Sequence, residues 1–77
     1  GDHHRKKDQI KIAFGKQLKS KREERGFTQD ELAQKAHLDP ITIAFLEQGV
    51  GNVSLDTLIT FAQVLSISLK DLMPDRV

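Results

Sequence analysis

The sequence contains no cysteine, only two prolines, and no apolar run near the roughly 20 residues needed to cross a bilayer. Without cysteine, neither a disulfide framework nor a thiolate zinc site can stabilise the fold. A chain of 77 residues without such cross-links relies on compact helix packing or on a partner subunit. Nothing in the sequence resembles a signal peptide, so we expect a cytoplasmic protein with no membrane partner.

Residue types that carry catalysis are also scarce. Of the three histidines, His3 and His4 lie in the polar start of the chain and His37 lies in a turn between two predicted helices. We find no glycine-rich phosphate loop and no pair of carboxylates in a plausible pocket. We therefore expect the protein not to be an enzyme, and we expect no metal site, cofactor or small-molecule ligand.

The charges are distributed unevenly along the chain. Residues 1–25 carry nine Lys and Arg against four Asp and Glu, whereas residues 26–77 carry three against seven. A basic segment on an otherwise acidic domain suits an anionic partner, nucleic acid above all. A solvated, charge-rich first helix explains the same distribution equally well.

Apolar residues recur at helical spacing through most of the chain, and no alternating run is long enough for a strand. Capping residues and glycines divide this pattern into five segments. The predicted helices carry or begin at Ile10, Thr28, Pro40, Ser54 and Ser68. The predicted fold is therefore all-α, a compact five-helix bundle with a central helix-turn-helix.

The start of the chain is predicted to lie outside this bundle. Residues 1–7 are polar, and we interpret them as a disordered tail. Gly1 stands where a natural chain would begin with methionine, so we expect part of this tail to be left from expression. Residues 8–77 then form a single domain.

The string GKQLKSKREERGFTQDELAQKAHLDPITIAFLEQG, together with the segment after it, resembles the lambda-repressor-like, Cro-type (XRE) helix-turn-helix family. The resemblance covers residues 10–73. Positions that match in register include Gly15, Leu18, Gly26, Leu32, Ala33, Ile43, Leu46 and Gly49. The resemblance implies a sequence-specific transcriptional regulator, expected to be a repressor, that binds a pseudo-palindromic operator in double-stranded DNA as a homodimer.

The resemblance also assigns roles to individual residues. Arg22 and Glu47 occupy the positions of a structural ion pair that joins the first and third helices. Thr28 and Gln29 begin the second helix, where the family binds phosphate and where free backbone N–H groups favour an anion. Thr28 caps this helix in either case. Further phosphate contacts are expected from Gln48, Asn52 and Lys19, with Lys21, Arg5, Lys6 and Lys7 as additional candidates.

The third helix departs from the composition expected of a DNA-reading helix. Its base-facing positions hold Pro40, Ile41, Thr42, Ala44 and Phe45. These side chains cannot grip guanine or adenine with two hydrogen bonds, but apolar side chains can contact the thymine methyl group. An exposed apolar stripe can also bind a protein partner. The alternative is therefore a coactivator-like or antitoxin-like interaction module that uses Ile41 and Phe45.

Dimer contacts are expected at the C-terminal side of the domain. Candidates are the apolar residues that remain outside the inner stripes of the helices, although single surface hydrophobic residues are common in any protein. These candidates are Val53, Ile59, Val64, Ile67 and Val77.

Overall fold

The computed structural model describes residues 2–75, with side chains from Lys6 onward. It contains four α-helices followed by one turn of 3₁₀ helix. These are α1 (Asp2–Glu24), α2 (Gln29–Ala36), α3 (Pro40–Glu47), α4 (Leu55–Leu65) and the 3₁₀ turn (Leu69–Leu72). No strand occurs within residues 2–75, so the predicted all-α class is confirmed.

The predicted fifth helix is wrong, because the segment after Ser68 forms only a four-residue 3₁₀ turn. Ser68 and Asp71 cap this turn, and Met73 already has extended backbone angles (φ −87°, ψ 143°). Pro74 explains the early end, because the residue before a proline is pushed away from the α conformation. The space between cap and proline therefore holds a single turn.

The first helix begins earlier than the sequence predicted. α1 starts at Asp2 and passes through residue 8 without a break, so the helix extends through the segment that was predicted to be a tail. Arg5, Lys6 and Lys7 in this segment belong to residue types with high helix propensity.

The start of α2 follows the sequence prediction closely. The Thr28 hydroxyl accepts a hydrogen bond from the Glu31 N–H (3.0 Å), and the Glu31 carboxylate accepts one from the Thr28 N–H (2.9 Å). Two helix-end donors are thereby satisfied reciprocally. The helix ends at His37 in the left-handed conformation (φ 58°), and the Leu38 N–H donates to the Ala33 carbonyl (2.8 Å).

The third helix is bounded by Pro40 and Gly49, as expected. Asp39 precedes it, but within the described residues its side chain forms no capping hydrogen bond; its carbonyl instead accepts from the Thr42 N–H (3.0 Å). Gly49 adopts a left-handed conformation (φ 84°) that ends the helix. The Val50 N–H then donates to the Phe45 carbonyl (2.9 Å), which closes the last turn.

The core joins all five elements, and burial of each large apolar side chain contributes about 1.5–3 kcal/mol. Its largest fully buried members are Leu18, Leu32, Ile43, Phe61, Leu65 and Leu72. α1 crosses the end of α3 at Gly15, where a Cβ atom would lie 2.7 Å from the Glu47 carbonyl oxygen. This close approach fixes α3 against α1 and leaves the opposite face of α3 exposed.

Candidate nucleic-acid interface

α3 has one buried face and one exposed face. Ile43, Leu46 and Glu47 point into the domain. On the other side, Ile41 is 60% exposed and Phe45 is 46% exposed. Large apolar side chains are costly to leave in water, so an exposed pair on one helix face indicates a binding surface.

The other residues predicted to face bases surround this pair. Pro40 is exposed, whereas Thr42 and Ala44 are half-buried. Val50, just beyond the helix, is also exposed and is tied by its N–H to the last turn of α3. We define the α3 outer face as Pro40, Ile41, Thr42, Ala44 and Phe45, the five residues predicted to face bases. Val50 does not belong to this face, because it lines a hollow beside α1 with Phe14 and Leu46.

A buried ion pair holds α3 to α1. Arg22 Nε and Glu47 Oε2 are 2.6 Å apart, and Arg22 Nη2 donates to Glu47 Oε1 (3.0 Å). The Arg22 side chain is 9% exposed and that of Glu47 only 3%. Hydrogen bonding to Glu47 and its negative charge raise the pKa of Arg22 above its ordinary value, despite desolvation. Arg22 Nη1 also donates to the Phe27 carbonyl (2.6 Å), so the guanidinium joins α1, α3 and the loop before α2.

Gln29 belongs to the same hydrogen-bond network. The sequence predicted the ion pair but not this contact with Gln29. Its Nε2 atom donates a hydrogen bond to Glu47 Oε1 (3.0 Å), and its side chain is half-buried. Thr28 beside it is exposed and occupied in the capping box. In residues 2–75 we find no acceptor for the backbone N–H groups of Gln29 and Asp30. The start of α2 therefore presents free donors where the sequence predicted a phosphate contact.

The remaining candidates for phosphate contact lie on exposed parts of α1 and of the α3–α4 loop. Lys19 is exposed and forms no ion pair with any described residue, whereas Lys21 pairs with Glu24 (3.4 Å). Lys19 lies one turn after Gly15, so it shares the side of α1 that meets α3. Gln48 and Asn52 are exposed. Lys6 and Lys7 are exposed as well, and the side chain of Arg5 lies outside the described part.

The residues predicted as dimer contacts differ in their exposure. Val53, Val64 and Ile67 pack against the core, because the inner surface of α4 and its flanks is wider than the strict apolar stripe. Ile59 is 39% exposed, and Leu55, one turn earlier on α4, is 63% exposed. Val77 lies outside the described residues. Leu55 was not among the predicted contacts.

No group of His, Asp or Glu side chains in the described residues could hold a metal ion. No helix in that part of the chain is long and apolar enough to span a membrane.

A helix-turn-helix family model (HTH_3) matches residues 18–72, which is most of the chain. The chain belongs to the XRE-type helix-turn-helix family. The matched segment contains the ion pair, the capping box and the α3 outer face. No match was found among curated protein sequences.

Two solved structures of regulators resemble this helix-turn-helix domain. The restriction-modification controller protein C.AhdI from Aeromonas hydrophila is 32% identical with a TM-score of 0.78, and the match covers 80% of this chain and 94% of that protein. The clp gene regulator ClgR from Corynebacterium glutamicum is 32% identical with a TM-score of 0.79, covering 82% and 67% of the two chains. These matches support DNA-binding transcriptional regulation.

The same helix-turn-helix fold also occurs within a larger enzyme. Hydroxypropylphosphonic acid epoxidase from S. wedmorenis is 32% identical with a TM-score of 0.80, and the match covers 84% of this chain but 35% of that chain. The shared part is therefore about a third of the enzyme. Fold likeness alone does not transfer an activity, because function resides in the residues of a site.

Proposed function

We propose that this domain is a sequence-specific transcriptional regulator, without enzymatic activity, that inserts α3 into the major groove of DNA. The α3 outer face carries the proposal. The inner face is fixed by Ile43, Leu46 and the buried Glu47 carboxylate, so the exposed side chains project from a rigid helix. A recognition helix needs this combination of a fixed axis and a free face.

Contacts to the DNA backbone would come from two places beside α3. At the start of α2, the free N–H groups and the Gln29 amide offer donors to one phosphate. On α1, the exposed Lys19 supplies a positive charge on the side that meets α3. Gln48 and Asn52 add uncharged donors only. Because few of these groups are cationic, the affinity should fall less steeply with salt than that of a strongly basic regulator.

The α3 outer face would read thymine. Ile41 and Phe45 are separated by one helical turn and are both large, so together they can cover methyl groups on neighbouring base pairs. Thr42 supplies a hydroxyl within the same surface. Specificity would then come from apolar contact and from the sequence-dependent shape of the DNA.

The regulator would act as a homodimer and repress by occupying a pseudo-palindromic operator. Half-sites would lie about 34 Å apart, the length of one turn of B-DNA. Leu55 and Ile59 lie one turn apart on the exposed side of α4 and are our candidates for the dimer contact. Replacing both with serine should yield a folded protein that sediments as a monomer in analytical ultracentrifugation. Its affinity for the operator in binding assays should be lower than that of the natural protein.

A second candidate function rests on the same surface. The α3 outer face lacks the Arg, Asn or Gln side chains that usually identify bases, and an apolar helix face of this kind can bind a groove on another protein. On this alternative the domain is a coactivator-like or antitoxin-like module. Its affinity for DNA would be weak and independent of sequence.

Selection from a random pool of duplex DNA distinguishes the two functions. We expect enrichment of a symmetric, thymine-rich motif, followed by tight binding at both about 50 mM and about 200 mM salt. Absence of an enriched motif, with binding that disappears at the higher salt, would favour the protein-binding function. The control variant for this assay is Ile41→Ser/Phe45→Ser, which removes the large apolar side chains of the α3 outer face. Both side chains are exposed, so the fold should persist.

The thymine contact has its own test. Phe45→Ala and replacement of thymine by uracil in the selected site both remove the same proposed contact. Each change alone should weaken binding, and the two together should weaken it little more than one. Fully additive effects would show that Phe45 and the methyl group do not touch.

A further inference from the structure

Glu47 contacts two partners with different tasks. Through Arg22 it fixes α3 to α1, and through the Gln29 amide it touches the start of α2. The ion pair accounts for the attachment of α3 to α1, whereas the contact with Gln29 reaches a residue that the family resemblance assigns to phosphate binding. We propose that Glu47 is a positioning residue for DNA binding, which orients the Gln29 amide toward a backbone phosphate; this inference rests on the proposed function.

The geometry of the amide supports this role. A glutamine amide nitrogen carries two hydrogens, and Gln29 Nε2 gives one of them to Glu47 Oε1 at 3.0 Å. Among the described residues we find no acceptor for the second hydrogen. Since the amide is planar, fixing one N–H also fixes the direction of the other. A glutamine on a helix surface would otherwise sample several rotamers, and part of its binding free energy would be lost to ordering.

The charge of Glu47 does not oppose this arrangement. A lone carboxylate behind the amide would repel a phosphate, but Arg22 bonds both oxygens of Glu47 with two N–H groups. The pair is neutral as a unit, and Oε1 still has a lone pair for Gln29. Glu47 can therefore act as a hydrogen-bond acceptor without presenting a net negative charge to the DNA.

The same contact links the phosphate site to the recognition helix. Glu47 is the last residue of α3, and Gln29 is the first residue of α2. The position of a phosphate bound by Gln29 would thus be fixed relative to the end of α3. The hydrogen bond would set how α3 sits in the groove relative to the DNA backbone, which is the task of phosphate contacts in sequence-specific binding.

A coupled substitution tests the proposal without destroying the fold. Arg22→Met/Glu47→Leu replaces the buried pair with apolar side chains of similar size, a change that buried ion pairs often tolerate. Gln29→Ala is made in the natural background and in this paired background. Gln63→Ala is the control, because the side chain of Gln63 is exposed on α4 and forms no hydrogen bond with described residues. Circular dichroism and thermal unfolding first establish that each variant is folded.

In the natural background, Gln29→Ala should weaken binding to the selected duplex about tenfold to a hundredfold, as for loss of a hydrogen bond to a charged group. In the paired background, the same change should weaken binding less than about twofold. An equal loss in both backgrounds would overturn the proposal, because Gln29 would then act without Glu47. Gln63→Ala should have no effect in either.

Nuclear magnetic resonance of the free protein gives a reading that does not depend on DNA. The side-chain amide of Gln29 should be rigid and shifted by its hydrogen bond, and should become as mobile as that of Gln63 in the paired variant. A mobile Gln29 amide in the natural protein would overturn the inference by itself. Failure of the proposed function would look different, because the natural protein would then bind no duplex specifically while the Gln29 amide stayed rigid.

Discussion

Substitution of Gly15 by alanine has two opposing effects on the free energy of unfolding. Alanine in the middle of α1 should gain about 1 kcal/mol through helix propensity. Its Cβ, however, would lie 2.7 Å from the Glu47 carbonyl oxygen and in closer contact with the Leu46 carbonyl oxygen, where ordinary contacts begin at 3.4 Å. Overpacking costs about 1–3 kcal/mol, and a backbone carbonyl cannot rotate away as a side chain can, which favours the upper end.

The cost of overpacking should therefore exceed the gain in helix propensity, with a net loss of about 2 kcal/mol in the free energy of unfolding. For a domain of this size, this loss lowers the melting temperature by roughly 8–16 °C. Urea unfolding and thermal scans would measure it. Ser20→Ala, on the exposed side of the same helix, isolates propensity and should stabilise by about 0.5 kcal/mol. If Gly15→Ala were as stable as the natural protein, α1 and α3 could not approach as closely as described.

Three further predictions concern the caps and the ion pair. Thr28→Ala should lower the free energy of unfolding, measured with urea, by about 1 kcal/mol, whereas Thr28→Ser should retain most of the stability that the cap provides. Equal losses in the two variants would show that the hydroxyl does not cap α2. The Thr28 backbone N–H and hydroxyl hold the pKa of Glu31 below its ordinary value of 4.5, so its contribution is present above that pH and is lost as the pH falls through the lowered pKa. The stability difference between the natural protein and Glu31→Gln should accordingly shrink between pH 7 and pH 3. Glu47→Ala leaves the buried Arg22 guanidinium without a counter-charge and should lower the free energy of unfolding by about 3–5 kcal/mol. Arg22→Met/Glu47→Leu should restore most of this loss. A loss well below this range would mean that water reaches the pair.

Local signals predicted much of the framework. The Thr28–Glu31 capping box depends on residues three apart, so its geometry follows once a helix forms. The ends of α2 and α3 followed in the same way from His37 and Gly49. The Arg22–Glu47 pair spans 25 residues and came from the family resemblance, because no local pattern connects these two positions.

Features that depend on tertiary geometry were not predictable from local patterns. Asp39 has the residue type of a cap, but its carbonyl rather than its side chain takes part. The Gln29–Glu47 hydrogen bond requires two helix ends to meet and one rotamer to be chosen, so spacing alone could not reveal it. Leu55 has the helical spacing of the inner residues of α4, yet it is exposed because it lies at the first position of that helix.

We propose that the α3 outer face gives this domain its sequence-specific affinity for DNA. The most direct measurement compares the dissociation constants for the selected duplex and for a shuffled duplex of the same composition, at one physiological salt concentration. We predict a preference of about a thousandfold or more for the selected duplex, and its loss in Ile41→Ser/Phe45→Ser. Equal dissociation constants for the two duplexes would contradict the claim.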